Sequence, residues 1–260
     1  MHDNYVGFNI KVIRAFFRYL NEEKHINTGP FYKKFHVRNE EVQIITLTPE
    51  QLNLLIYDRD FEKQLNYLQR TVKDIFVFGC TVALRYSDLM RIRNGNLHHV
   101  NGSIYLTVQS KKTDTLTRIK LPDYAIEIIK KYRAKTKFLF PSLYLNTFNS
   151  NIKRIGEMAD WTQPMLKERG VRATAKLRTV KQVRFCELLS SHTMRRTAIT
   201  NMLMLGMPET MVRKISGHAP GSKEFYRYVK LAQTFLDEKT DAYFEQLTAR
   251  NRENSTSVRA

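Results

Sequence analysis

The chain has 260 residues and carries 43 lysines and arginines against 25 aspartates and glutamates, giving a formal net charge of +18 and a pI near 9.9. Because 42% of its residues are apolar, it can bury a hydrophobic core, which excludes a disordered basic tail. Its two cysteines form neither a disulfide framework nor a zinc spacing, and no apolar run is long enough to cross a membrane. The composition predicts a soluble cytoplasmic protein, without a signal peptide, whose partner is a polyanion.

The positive charge is concentrated in one part of the chain. Residues 171–230 contain 12 lysines and arginines and 3 glutamates, so half of the net charge lies in less than a quarter of the sequence. A charge that served only solubility would not need this concentration. A solvated basic face remains the alternative interpretation.

The first segment is predicted to be one amphipathic helix, because Ile10, Ile13, Phe17 and Leu20 recur at steps of three and four residues. It ends at the turn-forming residues 27–30. One helix cannot bury such a face alone, so we expect residues 1–40 to be the last part of a larger N-terminal domain. The main domain is predicted over 41–248, followed by a flexible tail over 249–260.

The main domain is predicted to be mainly α with a small three-stranded antiparallel β-sheet, an α+β fold. Thr48, Pro49 and Gln51 predict a capped helix start, and a longer helix over 62–80 would bury one apolar side. That side consists of Leu65, Leu68, Val72, Ile75 and Phe76. Strands on both sides of Asn101-Gly102 predict a hairpin, and a second turn near 111–115 leads to a third strand. Everything after Pro122 is predicted to be helical, in five segments: 122–132, 147–159, 191–205, 208–215 and 231–247.

The segment over 190–218 is the most informative. Ser190 or Ser191 can cap a helix on which His192 and Arg195, three residues apart, project from the first turn. A helix N-terminus attracts anions, and an imidazole and a guanidinium there suit a phosphate that must be held and protonated. A single His-x-x-Arg motif is weak evidence for a catalytic site. The two predicted helices and the glycine turn between them, over 192–215, also resemble a helix-turn-helix.

Further chemically active residues occur in a fixed order along the chain. Arg85 follows an apolar helical run, with Asp88 three residues later to orient it, and Lys111 and Lys112 lie at the second turn of the sheet. His218 follows a Ser-Gly turn. Beyond it, two tyrosines, Tyr226 and Tyr228, lie among basic residues.

This order of Arg, Lys, His-x-x-Arg, Gly-His and Tyr resembles the tyrosine recombinase (phage integrase) family, most closely the integrases of conjugative and mobilisable transposons. The resemblance covers residues 45–235 and implies that family's catalytic-domain fold. Residues 1–40 would then belong to its N-terminal core-DNA-binding domain. The matched positions are Arg85, its supporting Asp88, Lys112 with Lys111 as the neighbouring alternative, His192, Arg195 and His218.

For the nucleophile, the resemblance favours Tyr228, with Tyr226 in reserve, because Phe-Tyr-Arg-Tyr matches the family pattern better at the second tyrosine. It implies DNA cleavage through a 3′-phosphotyrosine intermediate, without metal, ATP or another cofactor. Arg85 and Arg195 would stabilise the transition state and Lys112 would protonate the leaving 5′-oxygen. His192 would assist deprotonation of the tyrosine, and His218 would donate a hydrogen bond to the phosphate.

The resemblance also implies double-stranded DNA as the partner, with a homotetramer on two duplexes, a Holliday junction and accessory DNA-bending or directionality factors. The expected task is integration or excision of a mobile element. Three alternatives remain open from the residues: a helix-turn-helix regulator, a type IB topoisomerase, and a metalloenzyme using His98, His99, His192 and His218.

Overall fold

The computed structural model describes residues 3–37, 42–109, 116–132, 137–170 and 178–257. The chain divides into two compact units, residues 1–43 with 162–185 and residues 44–161 with 186–260. The first boundary lies close to the predicted start of the main domain at residue 41. The inclusion of 162–185 in the first unit was not foreseen. In the described part of the chain, no helix is both long and apolar enough to span a membrane.

The first unit begins with helix α1, Asp3–Glu22, which confirms the predicted helix. A turn follows, in which the Asn27 side chain accepts a hydrogen bond from the N–H of Gly29 at 3.0 Å. It leads to a 3-10 helix, Phe31–Lys34, and brings the rings of Phe31 and Phe17 to 4.8 Å between centroids. Ile13, on the apolar face that was predicted to need a larger domain to bury it, is 41% exposed, together with other apolar side chains of α1.

The first unit also contains a hairpin that the sequence analysis missed. Strands β4, Pro164–Gly170, and β5, Arg178–Arg184, pair antiparallel, so the expectation of helices alone after Pro122 is wrong here. Residues 164–184 contain seven lysines and arginines and one glutamate. Basic residues interrupt the alternation of apolar and polar side chains by which strands are predicted, and this explains the failure.

The second unit contains most of the helices and the three-stranded sheet. Strands β1, Leu97–Val100, β2, Ser103–Gln109, and β3, Leu116–Lys120, are antiparallel in the order β1-β2-β3. Both turn residues, Asn101 and Gly102, have positive φ, as predicted. The helices are α2 Pro49–Tyr57, α3 Arg59–Gln64, α4 Tyr67–Val82, α5 Tyr86–Leu89, α6 Asp123–Tyr132, α7 Leu145–Met158, α8 Phe185–Leu188 (whose first residue belongs to the first unit), α9 Ser191–Met204, α10 Glu209–Ser216 and α11 Lys223–Ser257.

Two helix predictions need correction. The helix expected over 62–80 is broken because Asn66 and Gln69 exchange side-chain to backbone hydrogen bonds, both at 2.9 Å, and start α4 anew. As a result Leu68, predicted to be buried, is 37% exposed. Helix α11 begins earlier and ends later than the predicted 231–247, so residues 249–257 of the expected loose tail are helical, while 258–260 lie outside the described residues.

Helices α4 and α9 form the centre of this unit and approach each other closely at Gly79. A Cβ atom at this position would lie 2.9 Å from Cγ of Met194, still closer to its Sδ, and 3.2 Å from Cδ1 of Leu89. Met194 is fully buried. The glycine therefore sets the separation of the two helices that carry the site described below.

One group of charges within this unit is balanced. We call Glu62, Lys73, Asp74 and Lys131 the ion-pair cluster. Lys73 lies 3.2 Å from Glu62 and 3.3 Å from Asp74, and Lys131 makes contacts of 3.2 and 3.1 Å with the same two carboxylates. Burial alone would raise the pKa of Glu62, but Lys73 and Lys131 outweigh it and lower this pKa to about 2. Two cations and two anions thus compensate each other.

Candidate active site

The end of α4 places the first arginine of the site. Ala83 has φ 54, in the left-handed region, and turns the chain from α4 towards Arg85. The backbone N–H groups of Asp88 and Leu89 donate to the carbonyl of Arg85 at 3.0 and 2.9 Å, so a short helical turn fixes its backbone. Asp88 is buried on this turn, 6% exposed, and Arg85 is half-buried.

The first turn of α9 supplies His192 and Arg195, as predicted. Of the two serines proposed as the cap, Ser190 holds the N-cap position, and its N–H donates to Oγ1 of Thr193 at 3.1 Å. His192 remains exposed, whereas Arg195 is only 7% exposed. The two side chains thus project from the same helical turn, but His192 is exposed to solvent and Arg195 is buried.

Two backbone carbonyls hold the guanidinium of Arg195. Its Nη1 donates to the carbonyl of Ala83 at 2.6 Å, and its Nη2 donates to the carbonyl of Ser216 at 2.5 Å. Arg195 thereby joins the end of α4 to the end of α10. A guanidinium has five N–H groups, so these two bonds leave donors that can bind a further acceptor.

The turn after α10 places His218. Gly217 has φ 62, a conformation that glycine adopts without steric cost, and reverses the chain between Ser216 and His218. The Ser216 hydroxyl lies 2.8 Å from Nδ1 of His218. The imidazole ring lies 5.5 Å from the ring of Phe225 and 6.0 Å from the ring of Tyr228, both on α11.

The two candidate tyrosines differ in environment. Tyr228 is half-buried and packs against a core cluster that includes Phe225, which is fully buried and lies three residues earlier on the same face of α11. Tyr226 lies on another face and is 50% exposed. Tyr228 is therefore the tyrosine adjacent to His218.

The positive charges of the site act on one another. Burial and the nearby Arg85 lower the pKa of Arg195 from 12.5 to about 10, although Tyr228 and Asp88 oppose the shift. Burial, Arg195 and Arg85 lower the pKa of His218 from 6.5 to about 4. Partial burial and the neighbouring arginines also lower the pKa of His192. Both imidazoles are consequently neutral at pH 7.

The structure thus brings together Arg85, Asp88, His192, Arg195, His218 and Tyr228, which we call the cationic cluster. Lys111 and Lys112 lie outside the described residues. Among the residues that are described, no three of His, Cys, Asp and Glu are grouped closely enough to bind a metal ion, and this includes His98 and His99 of the metalloenzyme hypothesis.

Three contributors to this site were not predicted from the sequence. They are the carbonyl of Ala83, the side chain of Ser216 and the ring of Phe225. Ser216 was noted only as part of a turn, and the Ser-Gly-His sequence gives no sign that its hydroxyl contacts the imidazole. The carbonyl of Ala83 accepts from a residue 112 positions away, which no local pattern reveals.

Comparison with known proteins agrees with this fold. Residues 46–234 match the model of the phage integrase family. The tyrosine recombinase XerC of Pelotomaculum thermopropionicum is 25% identical over 83% of this chain and 67% of its own length. XerD of Staphylococcus aureus is 22% identical over 86% of this chain and 71% of its own length.

Solved structures share the fold. The Tn1549 transposon integrase in complex with circular intermediate DNA has a TM-score of 0.56 at 16% identity and covers 88% of this chain and 75% of its own. A lambda integrase dimer bound to a core site has a TM-score of 0.55 at 16% identity, with 85% and 71% covered. The chain spans 58% of the XerH recombinase, which matches with a TM-score of 0.54 at 14% identity over 81% of this chain. Since the family model matches well over half of the chain, the protein belongs to the phage integrase family of tyrosine recombinases.

Proposed function

We propose that the protein is a site-specific recombinase that cleaves and rejoins DNA through a 3′-phosphotyrosine intermediate, with Tyr228 as the nucleophile. The observation that carries this proposal is the meeting of Tyr228, His218 and Arg195 in one cluster, 6.0 Å between the first two rings, with Arg85 beside them. A helix-turn-helix regulator would explain α9 and α10 but has no need of this cluster.

The chemistry follows from the groups present. Attack by the Tyr228 oxygen on phosphorus forms the phosphotyrosine bond and releases the 5′-oxygen, for whose protonation we propose Lys112. Because the bond energy is retained in the covalent intermediate, rejoining requires no ATP. The pentavalent transition state carries negative charge that Arg85 and Arg195 stabilise, and one such donor contributes about 3 kcal/mol in a comparable oxyanion site. Two guanidiniums can serve in place of metal ions.

The hairpin β4–β5 is proposed to contact the phosphate backbone of DNA. Lys167 lies directly opposite Lys181 in the register, and residues 164–184 contain seven lysines and arginines against one glutamate. Such an excess of positive charge attracts a polyanion. Contacts to phosphates position a protein on DNA without reading its sequence, so the hairpin contributes affinity.

The natural task is proposed to be integration or excision of a mobile element by a tetramer on two duplexes, passing through a Holliday junction. Exposed apolar residues on α11, Leu236 at 36% and Phe244 at 57%, support a role for this helix in contacts between protomers. Accessory DNA-bending or directionality factors would select the direction of recombination.

Covalent trapping tests the proposal. Nicked duplexes tiled across the DNA that flanks the gene are incubated with the protein in EDTA and analysed on denaturing gels. We expect an adduct with the wild-type protein at one tile and with Tyr226→Phe, and none with Tyr228→Phe, which still binds the same tile because only a hydroxyl is lost.

The other outcomes separate the alternatives. An adduct that persists in Tyr228→Phe and disappears in Tyr226→Phe would overturn the choice of nucleophile. Tight, salt-sensitive binding to one tile without any adduct would favour the regulator, since phosphate contacts alone produce such salt dependence. Relaxation of supercoiled DNA without a preferred site would favour a type IB topoisomerase.

A further inference from the structure

The hydroxyl of Ser216 makes two short contacts that together require two protons. Its Oγ lies 2.7 Å from the carbonyl oxygen of Val212 and 2.8 Å from Nδ1 of His218, both hydrogen-bond distances. A carbonyl oxygen brings no proton, and a hydroxyl brings one. The Ser216 proton therefore points to Val212, and the second proton has to lie on Nδ1.

We propose that Ser216 is a positioning residue that holds His218 as the Nδ1–H tautomer, so that Nε2 offers a lone pair to the cationic cluster. Ser216 is 3% exposed, so water does not compete for these contacts. One proton on Oγ of Ser216 and one on Nδ1 of His218 satisfy both contacts.

Burial, together with the charges around His218, keeps the imidazole in this neutral form. Arg195 on α9 and Arg85 before α5 disfavour the imidazolium, whereas Glu224 on α11 favours it weakly, and Tyr228 is the other titratable group of α11 beside the ring. A neutral imidazole with a proton on Nδ1 can only accept through Nε2. This differs from our sequence-based expectation, in which His192 assists deprotonation of the tyrosine and His218 donates a hydrogen bond to the phosphate.

The Nδ1–H tautomer sets the direction of one proton transfer, a step that rests on the proposed function. The O–H bond of Tyr228 breaks, an N–H bond forms on Nε2 of His218, and the phenolate oxygen attacks phosphorus. The resulting imidazolium then donates to a phosphoryl oxygen. A bound phosphate brings negative charge against Arg85 and Arg195, which raises the basicity of His218 when a base is needed.

The side chain and the backbone of Ser216 have separate partners, which makes the role testable. Its carbonyl accepts from Arg195, and this bond survives replacement of the side chain. Its hydroxyl contacts His218. Ser216→Ala therefore removes the side-chain contacts to His218 and to the carbonyl of Val212 but leaves the bond to Arg195, and Ser216→Thr retains a hydroxyl for both side-chain contacts.

The first test is the ¹⁵N spectrum of His218 in the whole protein at pH 7, which needs neither a variant nor DNA. We expect Nδ1 to be protonated and Nε2 to be unprotonated in the wild-type protein and in Ser216→Thr. Ser216→Ala should shift the population towards the Nε2–H tautomer. Ser222→Ala is the matched control, because its hydroxyl lies at the start of α11, next to Glu224 and the N–H of Phe225. A wild-type His218 protonated at Nε2 would overturn the inference.

The second test is the rate of adduct formation on the duplex identified by trapping, as a function of pH. Ser216→Ala should lose up to about 10²-fold at neutral pH, within the range of general-base catalysis, and recover towards the wild-type rate at alkaline pH. An equal loss at every pH would indicate a structural defect and overturn the role in proton transfer. If no adduct forms at all, the proposed function fails while the spectrum still decides the tautomer.

Discussion

Helix α4 connects two groups of charged side chains. In the first group cations and carboxylates are paired, whereas in the second positive charges predominate. The ion-pair cluster, in the first half of the helix and around it, contains two cations and two carboxylates at contact distances of 3.1–3.3 Å. The cationic cluster lies beyond the C-terminal end of the helix. There the guanidinium of Arg195 bonds to two carbonyls, and burial and a second arginine lower its pKa.

The difference distinguishes charged side chains that stabilise the fold from those that serve a functional site. Burying charge is costly unless it is compensated, so a cluster in which burial and neighbouring arginines lower the pKa of Arg195 and His218 is unfavourable in the protein alone. Such arrangements are concentrated at functional sites. We propose that a DNA phosphate adds the negative charge that offsets the excess of positive charge in the cationic cluster.

The largest effect expected from this comparison concerns stability. Asp74→Asn should lower the free energy of unfolding by about 3 kcal/mol, because Lys73, 4% exposed, loses one of its two carboxylates and the hydroxyl of Tyr132 loses its charged acceptor. Arg195→Met should cost less, since its removal also ends the repulsion by Arg85. Urea denaturation of both variants measures the difference.

The same pair of variants should show the reverse order in activity. Arg195→Met is expected to slow adduct formation by about 10²–10³-fold, the usual effect of losing one donor to a transition-state oxyanion, while folded Asp74→Asn cleaves normally. The distinction between the clusters would be refuted if Arg195→Met destabilised the protein more than Asp74→Asn and left cleavage intact.

A smaller effect is the pH dependence of stability, which differs between the two clusters. The folded pKa of His218, about 4, lies below its ordinary 6.5, so the unfolded chain binds more protons and the protein loses stability as the pH falls from 6.5 towards 4. The folded pKa of Glu62, about 2, also lies below its ordinary 4.5, and its contribution is lost as the pH falls from 4.5 towards 2.

Thermal unfolding between pH 2 and pH 7 tests this separation. His218→Gln should reduce the pH dependence of stability between pH 6.5 and pH 4, and Glu62→Gln should reduce it between pH 4.5 and pH 2. If His218→Gln left the slope between pH 6.5 and pH 4 unchanged, the electrostatic account of the cationic cluster would be wrong.

Local signals predicted much of the fold. Thr48 and Gln51 form the expected capping box, and the Asn101-Gly102 turn joins two strands as predicted. The break before α4 has the same kind of signal, Asn66 followed three residues later by Gln69, but the continuous apolar pattern was given precedence over it. The hairpin β4–β5 could not be predicted from periodicity, because charged residues occupy so many of its positions.

The candidate site was predictable as a set of residues and not as a geometry. The order of Arg85, His192, Arg195, His218 and a tyrosine can be read from the sequence. The choice of Tyr228 over Tyr226 remains a prediction, now supported by burial and by the adjacent imidazole. The bonds from Arg195 to two carbonyls depend on how α4, α9 and α10 pack, and such distant contacts leave no pattern in one sequence.

The most direct test of the central claim, that a DNA phosphate balances the cationic cluster, is the pKa of His218 measured by NMR with and without bound DNA. Tyr228→Phe protein and the duplex identified by trapping keep the complex uncleaved. The account predicts that binding raises the pKa from about 4 towards the ordinary 6.5, because the phosphate offsets Arg195 and Arg85. An unchanged pKa in a fully bound complex would contradict it.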